Sequence, residues 1–214
     1  MGYMVNLVLE GKAALVVGGG TVASRKVEGL LAAKARVTVV APRACGRIAE
    51  LARDKRVVLH SRPYRAGDLE GASVVIAATG DEAVNVRVAK DAAERKVPVN
   101  VVDRPALCSF TVPATVCRGD LTLAVATEGR CPALAGILRE ELEQRYGPEY
   151  ASLVDLFGDL RARMISLGWD ARRVQETLLQ IYRAGVLERM GAAHRGALRD
   201  FLRPHLGPEF PLPE

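Results

Sequence analysis

The stretch Ala13–Ala23 reads AALVVGGGTVA and decides the fold of the chain. Its first five residues form an apolar run typical of a buried parallel strand, and three glycines follow at once. Gly18, Gly20 and Ala23 match the Gly-x-Gly-x-x-Gly/Ala pattern, which allows a tight turn, close approach of a pyrophosphate and close helix–strand packing. The pattern predicts a dinucleotide site at the start of a helix; a glycine-rich turn without a ligand is the alternative.

Short apolar runs and helical stretches alternate through the first hundred residues. Four more runs predict strands, at Val37–Ala41, Val57–Leu59, Val74–Ala78 and Val97–Val101. The spacing between them predicts helices over Val22–Ala33, Cys45–Asp54 and Ala83–Arg95. Alternation of this kind predicts right-handed crossovers, and so an α/β, Rossmann-like, doubly wound parallel sheet over residues 1–105.

The sequence changes character after residue 105. Strands are predicted over Ser109–Val116 and Asp120–Ala126, followed by a helix from Pro132 to about Tyr146, so residues 106–147 form a small, strand-rich α+β region. Residues 148–214 are predicted to form a helical C-terminal domain, with Asp170 capping one of its helices. We expect the proline-rich tail from Pro204 to be poorly ordered.

Composition excludes several classes of protein. The chain has 214 residues, of which 49% are apolar, so a disordered or fibrous protein is excluded. No apolar run approaches the roughly 18 residues of a membrane helix, and the start lacks the basic segment of a secretory leader, so we expect a cytoplasmic protein. Four scattered cysteines offer no zinc or disulfide framework: Cys45, Cys108, Cys117 and Cys131.

The charge of the chain favours an anionic small molecule over a nucleic acid. Its 30 Lys and Arg residues outnumber 25 Asp and Glu residues, which gives a net charge of +5. No basic tract with interleaved aromatic residues is present, so we expect no nucleic-acid partner. The three histidines are His60, His194 and His205. None of them has a partner at the spacing of metal ligands, so we also expect no metal site.

The second predicted strand lacks the acid that an NAD site usually places at its end. The segment after it reads Ala41-Pro42-Arg43. By charge alone, Arg43 would meet a 2′-phosphate and favour NADP; a solvated loop arginine is the alternative. The residues therefore indicate a nicotinamide dinucleotide without deciding between NAD and NADP.

Polar residues follow the fourth and fifth predicted strands, at the edge where open α/β sheets bind ligands. Thr79 follows the fourth and is predicted to bond the ribose or the nicotinamide. Asp103 follows the fifth and would accept a proton or orient a substrate, if partial burial makes it a better base. A turn aspartate, or an ion pair with Arg104, is the alternative.

These residues together resemble the bacterial precorrin-2 dehydrogenase and sirohydrochlorin ferrochelatase family, the N-terminal module of siroheme synthases. The resemblance extends over nearly the whole chain and rests on an ordered set of segments: 18–26, 77–79, 100–105, 108–114, 121–127, 131–135 and 138–143. It implies NAD-dependent oxidation of precorrin-2 to sirohydrochlorin in siroheme biosynthesis. It also implies a homodimer that uses residues 106–147 as a dimerisation region.

The resemblance also implies roles for individual residues. Asp103 matches the family's functional aspartate, and the pairs Thr21-Val22 and Pro42-Arg43 match its NAD contacts. The family is usually NAD-linked without the acid, which overrides the indication of NADP from Arg43. For a substrate with eight carboxylates, the candidate contacts are Arg104, Arg118, Thr127 and Arg130; for each arginine, a solvated surface charge is the alternative.

One loop departs from the family. Where relatives usually have a Gly-Gly-x-Ser-Pro type of loop, this chain has Glu128-Gly129-Arg130-Cys131-Pro132. Glu128 adds negative charge near a cleft expected to take an anion.

Two alternatives stay open. Some relatives also insert ferrous iron into the product, and the residues do not separate such a bifunctional enzyme from a dehydrogenase alone. The other alternative is a non-catalytic NAD(P)-sensing domain. Such sensors generally keep the acid after the second strand and need no carboxylate after the fifth, and this chain shows the opposite on both counts.

Overall fold

The computed structural model describes residues 2–191 and 195–212, so His194 lies outside the described residues. The chain divides into two compact units, Met1–Val112 and Pro113–Glu214. The three-part division of the chain at residues 105 and 147 stays a prediction.

The first unit is built on a five-stranded parallel sheet in the order β3-β2-β1-β4-β5. The chain moves outward from β1 to β2 and β3, then crosses back to β4 on the other side of β1. This reversal of direction between β1 and β4 is the switch point of a doubly wound sheet, as predicted. The strands are β1 (Ala13–Val17), β2 (Arg36–Val40), β3 (Val57–His60), β4 (Val74–Ala77) and β5 (Val99–Val101).

Three helices cover the sheet, and each begins and ends within one residue of its predicted bounds: α1 (Thr21–Ala32), α2 (Gly46–Arg53) and α3 (Glu82–Glu94). In β1, Ala14 and Val16 pack with α1 and α2, whereas Leu15 and Val17 pack with α3. Because both faces of the sheet are buried, the strands appear in the sequence as continuous apolar runs.

The second unit begins with an antiparallel hairpin of β6 (Ala114–Arg118) and β7 (Leu121–Val125). The predicted strand Ser109–Val116 was therefore wrong at both ends. Residues 109–112 belong to the first unit and run beside β5, where Ser109 bonds Val99. Helix α4 (Pro132–Arg145) follows the hairpin, and its Leu134, Ile137 and Leu138 are exposed.

The rest of this unit is helical, with α5 (Glu149–Ser166), α6 (Ala171–Arg183), α7 (Val186–Gly191) and α8 (Arg195–Leu206). Leu160, Met164 and Ile181 form the centre of its core. Asp170 caps α6 by accepting a hydrogen bond from the Arg173 amide, at 2.8 Å, as predicted. Within the described residues, no helix combines the length and the apolar composition that crossing a membrane requires.

The expectation of a poorly ordered tail from Pro204 was wrong. Pro204 lies inside α8, and Phe210 is buried with its ring 5.9 Å from that of Trp169. Arginine side chains also bond the tail backbone, since Arg203 donates to the carbonyls of Pro208 and Phe210. Residues 213 and 214 lie outside the described part of the chain.

Candidate active site at the carboxyl edge of the sheet

The glycine turn follows β1 and is packed tightly on both sides. The Gly18 amide donates to the carbonyl of Val40 at 2.9 Å, and Gly18 has a φ of +126°. A Cβ atom on Gly18 would collide with the carbonyl oxygen of Ala78, and one on Gly19 would collide with that of Arg43. Gly19 is thus as constrained as Gly18. The dinucleotide pattern allows any residue at the position of Gly19, so the sequence did not identify Gly19 as constrained.

Gly20 and the first turn of α1 are open. Gly20 precedes α1 without a side-chain cap, and no atom lies within 4 Å of where its Cβ would be. The first hydrogen bond of the helix runs from the Ser24 amide to the Gly20 carbonyl, so the amides of 21–23 point out of the helix end. Thr21 is exposed, Val22 is half-buried and Ala23 is buried. This end of α1 has the donors and the dipole to hold an anion.

The loop after β2 lies against the glycine turn. The Cys45 amide donates to the Gly19 carbonyl at 2.7 Å, and this bond holds Pro42 and Arg43 beside the turn. Both residues are exposed. Within the described residues the Arg43 side chain has no ion-pair partner, and the first turn of α1 contains no acid. An adenosine ribose bound between this loop and the start of α1 would therefore lie in surroundings of neutral or positive charge.

Thr79 follows β4, and its hydroxyl is engaged within the protein. It lies 2.8 Å from Oδ1 of the buried Asn85 and 2.9 Å from the Asp81 carbonyl, and it accepts from the Asp81 amide. Asp81 in turn caps α3. These contacts show Thr79 holding the β4–α3 turn. Its predicted bond to a ribose or nicotinamide stays a prediction.

Asp103 lies on a turn directly after β5. Its φ of +59° places it in the left-handed region, which aspartate tolerates better than most residues. Asp103 is exposed, so the partial burial that would make it a better base is not found in the single chain. The alternative ion pair with Arg104 is not formed, since Arg104 pairs with Glu82 at 2.5 Å. Among the residues that the structure describes, no hydrogen bond or ion pair engages this carboxylate, which lies at the carboxyl edge of the sheet.

The segment after this turn covers the free edge of β5. As β5 is an edge strand, the backbone groups of Val99 and Val101 that face away from β4 have no strand partner. Ser109 supplies the missing partners of Val99. Its amide donates to the Val99 carbonyl at 2.9 Å, and its hydroxyl accepts from the Val99 amide at 2.8 Å. The Cys108 sulfur accepts from the Val101 amide at 3.2 Å. Sequence reasoning listed both residues but missed this role.

The predicted substrate contacts of the second unit differ in their freedom to bind. Arg118 donates to the carbonyls of Tyr146 and Glu143 at the end of α4, so its guanidinium holds the helix end rather than being free for a substrate. The Thr127 hydroxyl accepts from the Cys131 amide at 3.3 Å, at the start of α4. Arg130 is exposed and has no ion-pair partner among the described residues.

The loop that departs from the family has a strained backbone. Glu128 has a φ of +53° and Gly129 one of +75°. A left-handed conformation costs a glutamate more than a glycine, so the backbone of Glu128 is held at an energetic cost. Within residues 2–191 and 195–212, no group of three or more His, Cys, Asp or Glu side chains is arranged to hold a metal ion.

Comparison with known proteins agrees with this geometry. Residues 5–114, just over half of the chain, match the family described as "Putative NAD(P)-binding" (NAD_binding_7). The chain belongs to this family. The matched residues include the glycine turn and the Asp103 turn, and they end at the start of the hairpin.

Curated relatives extend the similarity beyond the family match. A siroheme synthase of Pseudomonas aeruginosa strain PAO1 is 38% identical over 92% of this chain and 43% of its own. A siroheme synthase of Vesicomyosocius okutanii is 37% identical over 70% of this chain and 32% of its own. The chain therefore spans less than half the length of these relatives.

A solved structure matches the fold along nearly the whole chain. SirC, a precorrin-2 dehydrogenase, has a TM-score of 0.74 and 29% identity, and the match covers 95% of this chain and 98% of that one. The match confirms the predicted architecture of a Rossmann-like parallel sheet followed by a helical C-terminal region.

Proposed function

We propose that the chain catalyses the NAD-dependent oxidation of precorrin-2 to sirohydrochlorin in siroheme biosynthesis. One observation carries the proposal: an open glycine turn and a free carboxylate share one edge of the sheet, in a chain similar to SirC over 95% of its length. The turns follow β1 and β5, which are two strands apart, so they lie about 10 Å apart across the sheet. This distance leaves room for a cofactor bound at the glycine turn and a substrate bound beside it at Asp103.

The end of α1 binds the dinucleotide. Its open amides and Gly20 receive the pyrophosphate, and Pro42 and Arg43 line the adenosine ribose. The bound nicotinamide supplies a hydride acceptor. Thr79 contributes by holding the β4–α3 turn at the same edge.

Asp103 accepts the proton that the oxidation releases, or orients the macrocycle for the transfer. Its exposure in the single chain leaves the carboxylate open to a large substrate. The net charge of +5 attracts a polycarboxylate, and Arg104, Thr127 and Arg130 are the residues proposed to contact it. Arg118 is the weakest of the predicted contacts, because its donors are engaged at the end of α4.

A homodimer through residues 106–147 is part of the proposal. The exposed Leu134, Ile137 and Leu138 of α4 form an apolar surface that a second copy would bury. Sedimentation of the full chain tests this, and a monomer at micromolar concentration would contradict it.

An anaerobic assay tests the function. Precorrin-2 is mixed with the chain and NAD, and the tetrapyrrole and the reduced nicotinamide are followed by absorbance. We expect coupled formation of sirohydrochlorin, and a kcat about 10²–10⁴-fold lower in Asp103→Ala with the dinucleotide Kd unchanged. Asp54→Ala, which removes an exposed carboxylate at the end of α2, is the matched control and should keep wild-type kcat.

Other outcomes of this assay separate the alternatives. Dinucleotide binding without turnover would favour a sensing domain. Unchanged turnover in Asp103→Ala would remove Asp103 from the mechanism. Ferrous iron added to the sirohydrochlorin formed tests whether the chain also inserts iron.

We propose NAD as the preferred cofactor, and Arg43 as the residue that decides how well NADP is accepted. We expect a higher kcat/KM with NAD than with NADP. Removing the only charge proposed to meet a 2′-phosphate, in Arg43→Ala, should lower kcat/KM with NADP about tenfold and leave NAD within about twofold. An equal loss of kcat/KM with both cofactors would show that Arg43 does not distinguish the 2′-phosphate of NADP from the 2′-hydroxyl of NAD.

A further inference from the structure

The Asp103 turn combines a residue in the left-handed region with a long closing hydrogen bond. A left-handed φ of +59° costs a residue other than glycine of the order of 1 kcal/mol. The hydrogen bond that closes the turn, from the Arg104 amide to the Val101 carbonyl, is long at 3.3 Å. A free carboxylate on such a turn would sample several orientations unless other groups hold the loop.

The half-buried Cys108 thiol supplies these contacts. Its sulfur lies 3.2 Å from both the amide nitrogen and the carbonyl oxygen of Val101, and 3.4 Å from the carbonyl oxygen of Arg104. The thiol thus accepts a hydrogen bond from one side of the turn and has a carbonyl acceptor on each side of Asp103. The side-chain Nδ2 of Asn100 lies 3.7 Å from the same sulfur and donates to it.

We propose that Cys108 is a positioning residue for Asp103: its thiol holds the two ends of the turn that presents the carboxylate. The structural part of this proposal stands on the contacts of the sulfur. The catalytic part rests on the function proposed above, because it requires that Asp103 acts in the oxidation.

Loss of the thiol is expected to free the turn. In Cys108→Ala the Val101 amide loses its acceptor at the free edge of β5, and the two ends of the turn lose the contact that the thiol provides between them. Cys108→Ser keeps one donor and one acceptor and should retain most of the function. Cys117→Ala is the matched control, since it removes an exposed cysteine from β6 in the other unit.

Amide hydrogen exchange on the full chain tests the structural part without substrate. We expect the amides of 101–104 to exchange at least about tenfold faster in Cys108→Ala, and at nearly the wild-type rate in Cys108→Ser and Cys117→Ala. If the alanine variant does not fold, Cys108→Val fills the space without accepting a hydrogen bond and replaces it. Wild-type exchange in a folded variant that lacks the thiol would overturn the proposal.

Turnover tests the catalytic part. We expect Cys108→Ala to lower kcat about ten- to hundredfold, with KM and the dinucleotide Kd within about twofold, and Cys108→Ser to restore kcat to within about threefold. In an Asp103→Ala background, removal of the thiol should change the remaining rate less than twofold, because the thiol acts through the carboxylate.

The outcomes distinguish this proposal from the one on which it rests. A further tenfold loss in the Asp103→Ala background would show that Cys108 does not act through Asp103, and would overturn the positioning role. Absence of turnover in the wild-type chain would contradict the proposed function. Hydrogen exchange at 101–104 would still decide whether the thiol holds the turn.

Discussion

The glycine turn and the Asp103 turn lie at the same edge of one sheet and are held by different means. The glycine turn is held by close approach of backbone, with carbonyl oxygens standing where the Cβ atoms of Gly18 and Gly19 would be. The Asp103 turn is closed by a long backbone hydrogen bond, and side chains add to its support: the Cys108 thiol contacts both ends of the turn, and the Ser109 hydroxyl covers the edge of β5 beside it. The glycine turn depends on the absence of side chains, and the Asp103 turn receives part of its support from them.

This difference determines how each turn responds to change. A backbone contact tolerates no added atom, so the glycine turn fails abruptly and takes ligand binding with it. Side-chain contacts fail gradually, because a replacement side chain preserves part of the bonding. We therefore expect large effects from small substitutions in the glycine turn and graded effects around Asp103.

The largest effect is expected from Gly19→Ala. The added Cβ meets the carbonyl oxygen of Arg43, so the turn and the loop after β2 must separate. We expect the free energy of unfolding to fall by about 2–4 kcal/mol and the dinucleotide affinity to fall at least about hundredfold. Chemical denaturation and titration calorimetry measure the two effects.

A second glycine of the same region is the control for this substitution. Gly29 lies within α1, and no atom stands within 4 Å of its Cβ position. Gly29→Ala should raise stability by about 0.5–1 kcal/mol and leave the affinity unchanged. Equal behaviour of the two variants would contradict the close packing of the glycine turn.

A third loop, held by charge, sharpens the comparison. After β3, Arg62 donates to both oxygens of Asp68 at 2.9 and 2.6 Å, and the Arg65 amide donates to the same carboxylate. The hydrogen bonds from Arg62 lower the pKa of Asp68 below its usual value of 3.8. Because the folded pKa is lowered, the stabilisation is complete above about pH 4 and is lost as the pH falls through the lowered pKa.

Asp68→Asn should therefore cost about 1–3 kcal/mol at pH 7 and remove part of the acid sensitivity of the wild-type chain. Denaturant unfolding between pH 7 and pH 2 measures both effects. Cys108→Ala, which removes no charge, should keep the wild-type slope with pH. An unchanged slope in Asp68→Asn would show that the Arg62 contact does not stabilise the fold.

The smallest effect is expected from Ser109→Ala. This change leaves the Val99 amide without the acceptor that the hydroxyl provides, while the backbone bond from the Ser109 amide remains. We expect a loss of about 1 kcal/mol in the free energy of unfolding. Ser166→Ala is the control: the Ser166 hydroxyl donates to the Arg163 carbonyl of its own helix in the other unit, and its loss should change the free energy of unfolding by less than about 0.5 kcal/mol.

The fold of the first unit was predictable because its signals are local and repeated. Continuous apolar runs require burial on both faces, and helices between them require parallel crossovers. The tail was mispredicted because proline content is a local signal and packing is not. Phe210 is held by Trp169 and by arginine bonds to the tail backbone, and neither can be anticipated from the spacing of prolines.

The site was predictable only in part. Gly18, Gly20 and Asp103 follow from strand ends and glycine spacing. The engagement of Arg118 at the end of α4, and of the Thr79 hydroxyl with Asn85, depends on partners that are not recognisable from sequence pattern. The edge role of Cys108 and Ser109 was missed because it requires knowing that β5 ends the sheet.

The sequence by itself determined the sheet, the glycine turn and the position of Asp103, because each follows from residue type and periodicity within a few consecutive positions. Only the tertiary structure decided which side chains are free to meet a ligand. Hydrogen-bond partners are set by which strand lies at the edge and which carbonyls a folded chain brings within about 3 Å, and these distances exist only after the chain has closed on itself.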